Sequence, residues 1–234
     1  MALQKTVFVT GKLANIIFYE FRGTPCGRTM PAKVRQTKAT KASAKQFGKA
    51  ATLSKLLRQL LAPLLPDPLN KKMMYRLNTT LAKWLRSDKS NAGLSHLEGF
   101  EFNVEALLKE KVRKSLSIDW TTKGKVILKM PDLVPVRDIA APVNTRELHW
   151  QIMVVSITHK ERPSIRNSYT SSINMAYGSE SRAAENLSIP FTINSGDLTV
   201  VAVALQYTSE RKGELGIVGD KRWKPANILG LYCG

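Results

Sequence analysis

Short segments of alternating apolar and polar residues, separated by turn-forming residues, recur through residues 99–234 of this chain. Seven of them have the length and the β-branched and aromatic content of strands. They cover residues 115–120, 125–130, 148–158, 168–176, 187–193, 198–207 and 227–233. Because no helical periodicity intervenes, the pattern predicts an immunoglobulin-like antiparallel β-sandwich.

The third predicted strand, residues 148–158, is apolar on both faces. Trp150 and Val154 alternate with Met153 and Val155. A strand of this kind is expected at the centre of a sheet, or beneath a covering element such as an N-terminal hairpin.

Residues 37–92 have the composition of a basic helical hairpin. Residues 40–62 are rich in Ala, Leu, Lys and Gln, and Pro63 and Pro66 end this first helix. Asp67-Pro68 matches an N-cap followed by proline in the first turn of a second helix. The predicted buried faces are Phe47, Ala50, Ala51, Ser54, Leu57 and Leu61 in the first helix, and Met74, Leu77, Leu81, Trp84 and Leu85 in the second. These two apolar seams need not face the same partner.

Residues 1–36 are predicted to form an N-terminal β-hairpin arm. Strands are expected at residues 6–9 and 16–21, with a turn at Gly11 and a tight loop where Gly23, Pro25 and Gly27 crowd together. A lone hairpin is marginally stable, so we expect the arm to dock on its own C-terminal body or on another subunit.

The charge of the chain is concentrated at one end. Residues 1–92 carry eighteen Lys and Arg against three acids, a net of 18 − 3 = +15. Residues 93–234 carry eighteen bases against fifteen acids, a net of 18 − 15 = +3. So uneven a distribution indicates a polyanionic partner for the first part and an ordinary folded body for the second.

A basic stretch without acids is the candidate binding region. Residues 21–66 contain ten Lys and Arg and no Asp or Glu, although solvated helices usually intersperse the two signs. The residues predicted to contact nucleic acid are Arg28, Lys33, Arg35, Lys38, Lys41, Lys45, Lys49 and Arg58. The contacts would be to phosphates and so without sequence specificity, and Phe47 and Trp84 are expected to fill a core instead of stacking on bases. The alternative is a lysine stripe that is simply solvated.

The chain shows no recognisable catalytic or metal-binding motif. His149 and His159 lie about 30 Å apart along one extended strand, so they do not share a site by themselves. The three glycines of residues 213–219 have the wrong spacing for a phosphate-binding loop and indicate a flexible turn. We therefore expect no enzymatic activity, no metal and no cofactor. An enzyme would need a pocket in which His149 or His159 meets a carboxylate.

The sequence also bears on the compartment in which the protein works. Cys26 and Cys233 are expected to remain two separate thiols in a reducing environment. No Sec signal peptide and no apolar run of membrane-spanning length is seen, so we expect no membrane association. The predicted location is the cytoplasm or an assembled particle.

The layout resembles that of uncharacterised bacterial protein families of unknown function. It is carried by a Gly-rich N-terminal hairpin, the segment Arg28-Thr-Met-Pro31, an Ala/Lys helix containing Phe47-Gly48 and a β-sandwich C-terminus. The resemblance implies a bacterial or phage-related origin and brings no activity or catalytic residues.

Two functional hypotheses follow from the sequence. The first is a non-enzymatic structural protein that assembles into a homo-oligomer and presents its basic N-terminal half to DNA or RNA. The second is a phage-like particle or filament subunit whose basic arm docks on acidic protein, with no nucleic acid. Self-assembly is inferred from the marginal hairpin and from the two apolar helix seams.

Overall fold

A computed structural model describes residues 2–3, 9–30, 36–86, 95–120, 125–159, 162–211 and 213–233. Its contacts divide the chain into two compact units, Met1–Ser43 and Ala44–Gly234. The helices are α1 (Lys38–Leu60), which crosses the unit boundary, α2 (Lys71–Arg86), α3 (Leu108–Lys111) and α4 (Pro135–Asp138). The chain is of mixed α+β class with a largely β C-terminal part, as the sequence predicts.

The strands fall into one sheet in the first unit and two in the second. In the first unit they are β1 (Ala2–Leu3), β2 (Gly11–Leu13), β3 (Ile16–Phe21) and β4 (Thr24–Thr29). In the second unit they are β5 (Ser117–Trp120), β6 (Val126–Met130), β7 (Thr145–Thr158), β8 (Ser164–Ala176), β9 (Glu185–Ile189), β10 (Asp197–Arg211), β11 (Glu214–Ile217) and β12 (Ala226–Cys233). Each of the seven predicted sandwich strands is present.

The two sheets of the second unit have an immunoglobulin-like strand order. One sheet runs β5-β6-β9, and the other runs β8-β7-β10, with β12 and β11 sharing the outer edge of β10. Counting the predicted strands in chain order, the first, second and fifth form one sheet, and the fourth, third, sixth and seventh form the other. This differs from the constant-type immunoglobulin domain only in the fourth strand, β8, which joins the sheet of the third strand.

One hydrophobic cluster fills the space between the two sheets. Trp150 and Val154 of β7 and Leu205 of β10 meet Leu128 of β6 and Ile189 of β9, and all five are buried. The sheets therefore pack face to face, which makes the second unit a sandwich.

A second cluster covers the opposite face of the larger sheet with helices. α1, α2 and three strands all contribute to it, and the buried side chains include Leu53, Leu57, Leu77, Leu81, Val155, Val200 and Ile228. Both faces of β7 are buried because a small sheet covers one and the helices cover the other. The two apolar seams share one core within the chain, so the inference that they are left over for self-assembly is wrong.

The start of α2 differs from the prediction. Asn70 is its N-cap, since its side-chain oxygen Oδ1 accepts a hydrogen bond from the Met73 amide at 3.0 Å. Asp67 accepts from the Leu69 amide at 3.2 Å and thereby closes a turn before the helix. The predicted Asp67 cap is therefore wrong because its carboxylate is used in that turn.

The first unit contains a sheet of order β1-β4-β3-β2. β3 matches its prediction, whereas residues 6–8 of the other predicted strand lie outside the described residues. The turns are at Ala14-Asn15 and Arg22-Gly23, so the turn expected at Gly11 is wrong.

The predicted loop at residues 23–27 is mostly strand. β4 runs through Pro25 and Gly27, and Gly27 pairs with Phe18 across the sheet. A Cβ atom at Gly27 would lie 3.4 Å from the Phe18 ring, so glycine here makes room for the aromatic side chain. The glycine marks a close approach between strands and not a loop.

Residues 213–219, predicted as a flexible turn, contain a further strand. β11 pairs antiparallel with the last residues of β10, from Thr208↔Ile217 to Arg211↔Glu214. Gly213, with φ of +83°, provides the left-handed conformation for the connection. The glycine spacing therefore belongs to a hairpin.

Candidate nucleic-acid interface

The first half of α1 is exposed on all sides. Every residue from 36 to 48 is exposed, and the first buried residue of the helix is Ala50. Thr37 begins the helix, because its hydroxyl accepts a hydrogen bond from the Thr40 amide at 3.1 Å. Its alanines favour helix without burial, so this segment is an exposed extension of a helix that packs further along.

Lys38, Lys41, Lys45 and Lys49 form one stripe on α1, here called the lysine stripe. At 100° and 1.5 Å per residue they fall within an arc of about 80° and along about 16 Å of the axis. The buried Leu57 lies about 120° away around the helix. The register of α1 therefore places these four predicted residues on one side of the helix, away from the side of the helix on which Leu57 lies.

Three lysines of the stripe, Lys38, Lys41 and Lys45, lack local charge compensation within the described part of the chain. Among the described residues, no acidic side chain lies within salt-bridge distance of Lys38, Lys41 or Lys45. The first turn of α1 contains no acid either, although the helix dipole is positive there. The three like-charged pairs at i,i+3 and i,i+4 spacing destabilise the free helix by about 1 kcal/mol together. A bound anion would remove this repulsion.

The other predicted contact residues are placed differently. Arg58 lies on the far side of α1 from the lysine stripe and donates a hydrogen bond from Nη1 to the Pro68 carbonyl at 3.3 Å. It therefore stabilises the connection to α2. Arg28 is exposed on β4, with its guanidinium 5.7 Å from the centre of the Tyr19 ring. Lys33 and Arg35 lie outside the described residues.

Phe47 is an exposed aromatic residue on the same segment of α1 as the lysine stripe. It is 55% exposed, so the prediction that it fills a core is wrong, whereas Trp84 is fully buried as expected. Helical periodicity aligned Phe47 with Leu57, but the buried contacts of α1 begin only at Ala50. Phe47 is thus available to a partner of α1.

Several exposed basic residues were missing from the predicted set. Lys55 lies on α1 beyond the lysine stripe, Lys71 and Lys72 lie in the first turn of α2, and Lys83 is exposed further along α2. The signal that could have found them is the same shortage of acids, because α2 also contains no Asp or Glu.

His149 has the contacts that the enzyme alternative required. Its Nε2 lies 2.6 Å from the Thr208 hydroxyl and 3.5 Å from a carboxylate oxygen of Glu147, and its Nδ1 lies 3.0 Å from Asn174 Oδ1. None of the residues that line the four described cavities, of about 70 to 510 Å³, is a histidine. His159 instead packs edge-on against Trp84, with ring centres 5.4 Å apart. The histidine contacts are therefore cross-strand and packing interactions.

Glu101 is a partly buried carboxyl group with a raised pKa. Burial raises its pKa to about 7, against the lowering effects of the Leu108 amide, the Asn227 side chain, Lys109 and Arg76. Its Oε1 accepts from the Leu108 amide at 3.1 Å, while Oε2 and the Asn227 Oδ1 are buried without a hydrogen-bond partner. Arg76 donates to the Glu101 and Phe102 carbonyls, so the cluster ties α2 to the loop before α3.

The described ranges also bear on metal binding and membrane crossing. No group of three or more His, Cys, Asp or Glu is arranged there to hold a metal ion. No helix in that part of the chain combines the length and the apolar character needed to cross a membrane. Cys26 is buried and Cys233 is half-buried.

Comparisons with protein-family models, with curated proteins and with solved structures found no match for this chain. The functional argument therefore depends on the geometry described above.

Proposed function

We propose that this protein is a non-enzymatic, self-assembling structural protein that contacts nucleic-acid phosphates through α1. The observation that carries the proposal is the lysine stripe, of which Lys38, Lys41 and Lys45 lie on an exposed helix segment. Among the described residues no acidic side chain lies within salt-bridge distance of these three. Its working location would be the cytoplasm or an assembled particle.

The chemistry of the lysine stripe favours phosphate contact without sequence readout. A lysine ammonium is a compact point charge that binds phosphate but lacks the planar fork with which arginine reads guanine. If the four lysines each neutralise one phosphate, the log–log salt slope on duplex DNA would be about −4. Contacts from Arg28, Lys33 and Arg35 would make it about −6.

A salt titration tests this proposal. Binding of the full chain to a fluorescent duplex of arbitrary sequence, and to a single-stranded RNA, is followed by anisotropy between about 50 and 300 mM salt. We expect affinity to fall steeply with salt and to change little when the sequence is scrambled. Affinity that is independent of ionic strength would overturn the proposal.

The alternative is docking of the basic segment on an acidic protein. Phe47 favours it, since it is an exposed aromatic residue on the same helix segment, and aromatic residues are common anchors in protein interfaces. Competition separates the two functions. Displacement of labelled duplex by polyphosphate but not by polyglutamate of equal charge concentration supports nucleic acid, and the reverse supports the acidic protein.

A further inference from the structure

The outer edge of β8 is a long strand edge without a partner in the described structure. β8 spans thirteen residues and pairs with β7 along its length, and no other described strand pairs with it. Nine of the thirteen residues are exposed. In an antiparallel strand about half of the residues direct their amide and carbonyl groups away from the existing neighbour, so about six residues of β8 present these groups outward.

Devices that normally protect such an edge are scarce in β8. The strand contains no proline and no lysine, and Arg166 is its only charged residue. Arg166 is the extra residue at a register shift, between the pairs Ser156↔Asn167 and Ile157↔Ile165, so residues 167–176 form a regular uncharged edge. One outward protection exists, since the Asn167 side chain accepts from the Ser168 amide at 2.9 Å. Native sheets usually block edges with charge, proline or short strands.

We infer that a second copy of this chain pairs with β8 in antiparallel register, joining the two larger sheets across a two-fold axis at Ser171. In this register Tyr169 opposes the partner's Ile173, and Thr170 opposes the partner's Ser172. Aromatic–β-branched and Thr–Ser pairs are favourable cross-strand neighbours, and no like charges meet. The strand is therefore self-complementary, which is what an interface between identical copies requires.

Both the charge and the sequence of β8 favour a second copy of this chain as the partner of its open edge. The strand has no charge pattern that a foreign basic or acidic segment would recognise, and reversal about Ser171 places uncharged residues of compatible type opposite each other, Thr170 with Ser172 and Tyr169 with Ile173. Residues 167–176 of β8 carry no charge, so pairing two copies along this edge brings no like charges into direct opposition. This inference rests on the self-assembly part of the proposed function and is independent of phosphate binding.

Two charged double variants test the interface and its register. In T170K/S172K every lysine at the interface faces a lysine of the partner, whereas in T170K/S172E each lysine faces a glutamate. Sedimentation equilibrium without nucleic acid should give twice the 26.1 kDa chain mass for the natural protein and for T170K/S172E. The T170K/S172K dimer should dissociate at least about tenfold more readily. Both positions are exposed, and circular dichroism would confirm that the two variants fold alike.

Each contrary result has a definite meaning. A natural protein that stays at 26.1 kDa at every concentration overturns the inference and leaves the edge to an extended segment of another protein. Equal dimerisation of the two variants places the interface elsewhere and also overturns it. Loss of salt-dependent DNA binding would leave the dimer intact, so this proposal and the phosphate proposal can fail separately.

Discussion

Replacing Glu101 with glutamine should remove most of one pH-dependent contribution to folding stability. The carboxyl is partly buried, with one oxygen bonded to the Leu108 amide and the other without a hydrogen-bond partner beside the Asn227 side chain. Glutamine keeps the size and the acceptor of the side chain but carries no charge at any pH. Its amide can also donate to the buried Asn227 oxygen.

The magnitude and sign follow from the raised pKa of Glu101. A pKa of about 7 in the folded chain, against 4.5 for an ordinary glutamate, means that the folded state holds the proton more tightly. Stability therefore falls as pH rises from about 4.5 to about 7, and the loss is complete above that range. The shift corresponds to about 3 kcal/mol, which we reduce to about 2 kcal/mol because the group is only partly buried.

Urea denaturation at about pH 5 and about pH 8 measures this effect. Between these two pH values the natural protein should lose about 2 kcal/mol more of its free energy of unfolding than E101Q does. E98Q is the matched control, because Glu98 is exposed and lies three residues away. If E101Q keeps the same pH dependence as E98Q, burial of Glu101 does not control its protonation and the reasoning is refuted.

Two further predictions concern stability. L57A should lower the free energy of unfolding by about 3 kcal/mol, since Leu57 is fully buried between α1 and the sheet. F47A, on the exposed part of the same helix, should lower it by under about 0.5 kcal/mol. Equal losses in thermal or urea unfolding would contradict the described packing. Hydrogen bonds from Arg137 and the Val134 amide hold the pKa of Asp138 well below its usual value, so the stability that Asp138 contributes is lost as pH falls. D138N should therefore destabilise the protein at neutral pH and reduce the further loss of stability in acid. An unchanged acid unfolding curve would show that this carboxylate is not involved.

The positions of the sandwich strands followed from the sequence to a large extent. Alternation locates strands such as β7 and β10 because their residues are apolar wherever a core touches them. Burial on both faces of β7 was also readable. The sequence did not show what covers the second face of β7, because an apolar stripe indicates that a helix packs against something but not which surface it packs against.

Local competition explains most of the errors. Asp67 and Asn70 are both good N-caps, and only the turn at Asp67 decides between them. Gly27 and Gly213 looked like loop residues, yet each permits a strand to form, through close packing and a left-handed connection respectively. β11 is held by its pairing with β10, which no local pattern encodes.

The candidate site was predictable in its charge but not in its exposure. Absence of acids and a one-turn repeat found the lysine stripe, since both are properties of sequence alone. Helical register alone places Arg58 on the far side of α1 from that stripe. Its hydrogen bond to Pro68 and the exposure of Phe47, which depends on where the buried face of α1 begins, were not readable. Both are tertiary facts.

The most direct test of the phosphate contact is the salt slope of a K41Q/K45Q variant. Glutamine has nearly the helix propensity of lysine, so α1 should be retained while two charges are removed from the lysine stripe. K109Q/R113Q is the matched control, because it removes two exposed charges that lie outside α1 and α2. The account predicts that the slope of log affinity against log salt on duplex DNA becomes shallower by about 2 in K41Q/K45Q and by less than about 0.5 in the control. Equal slopes in the two variants would contradict it.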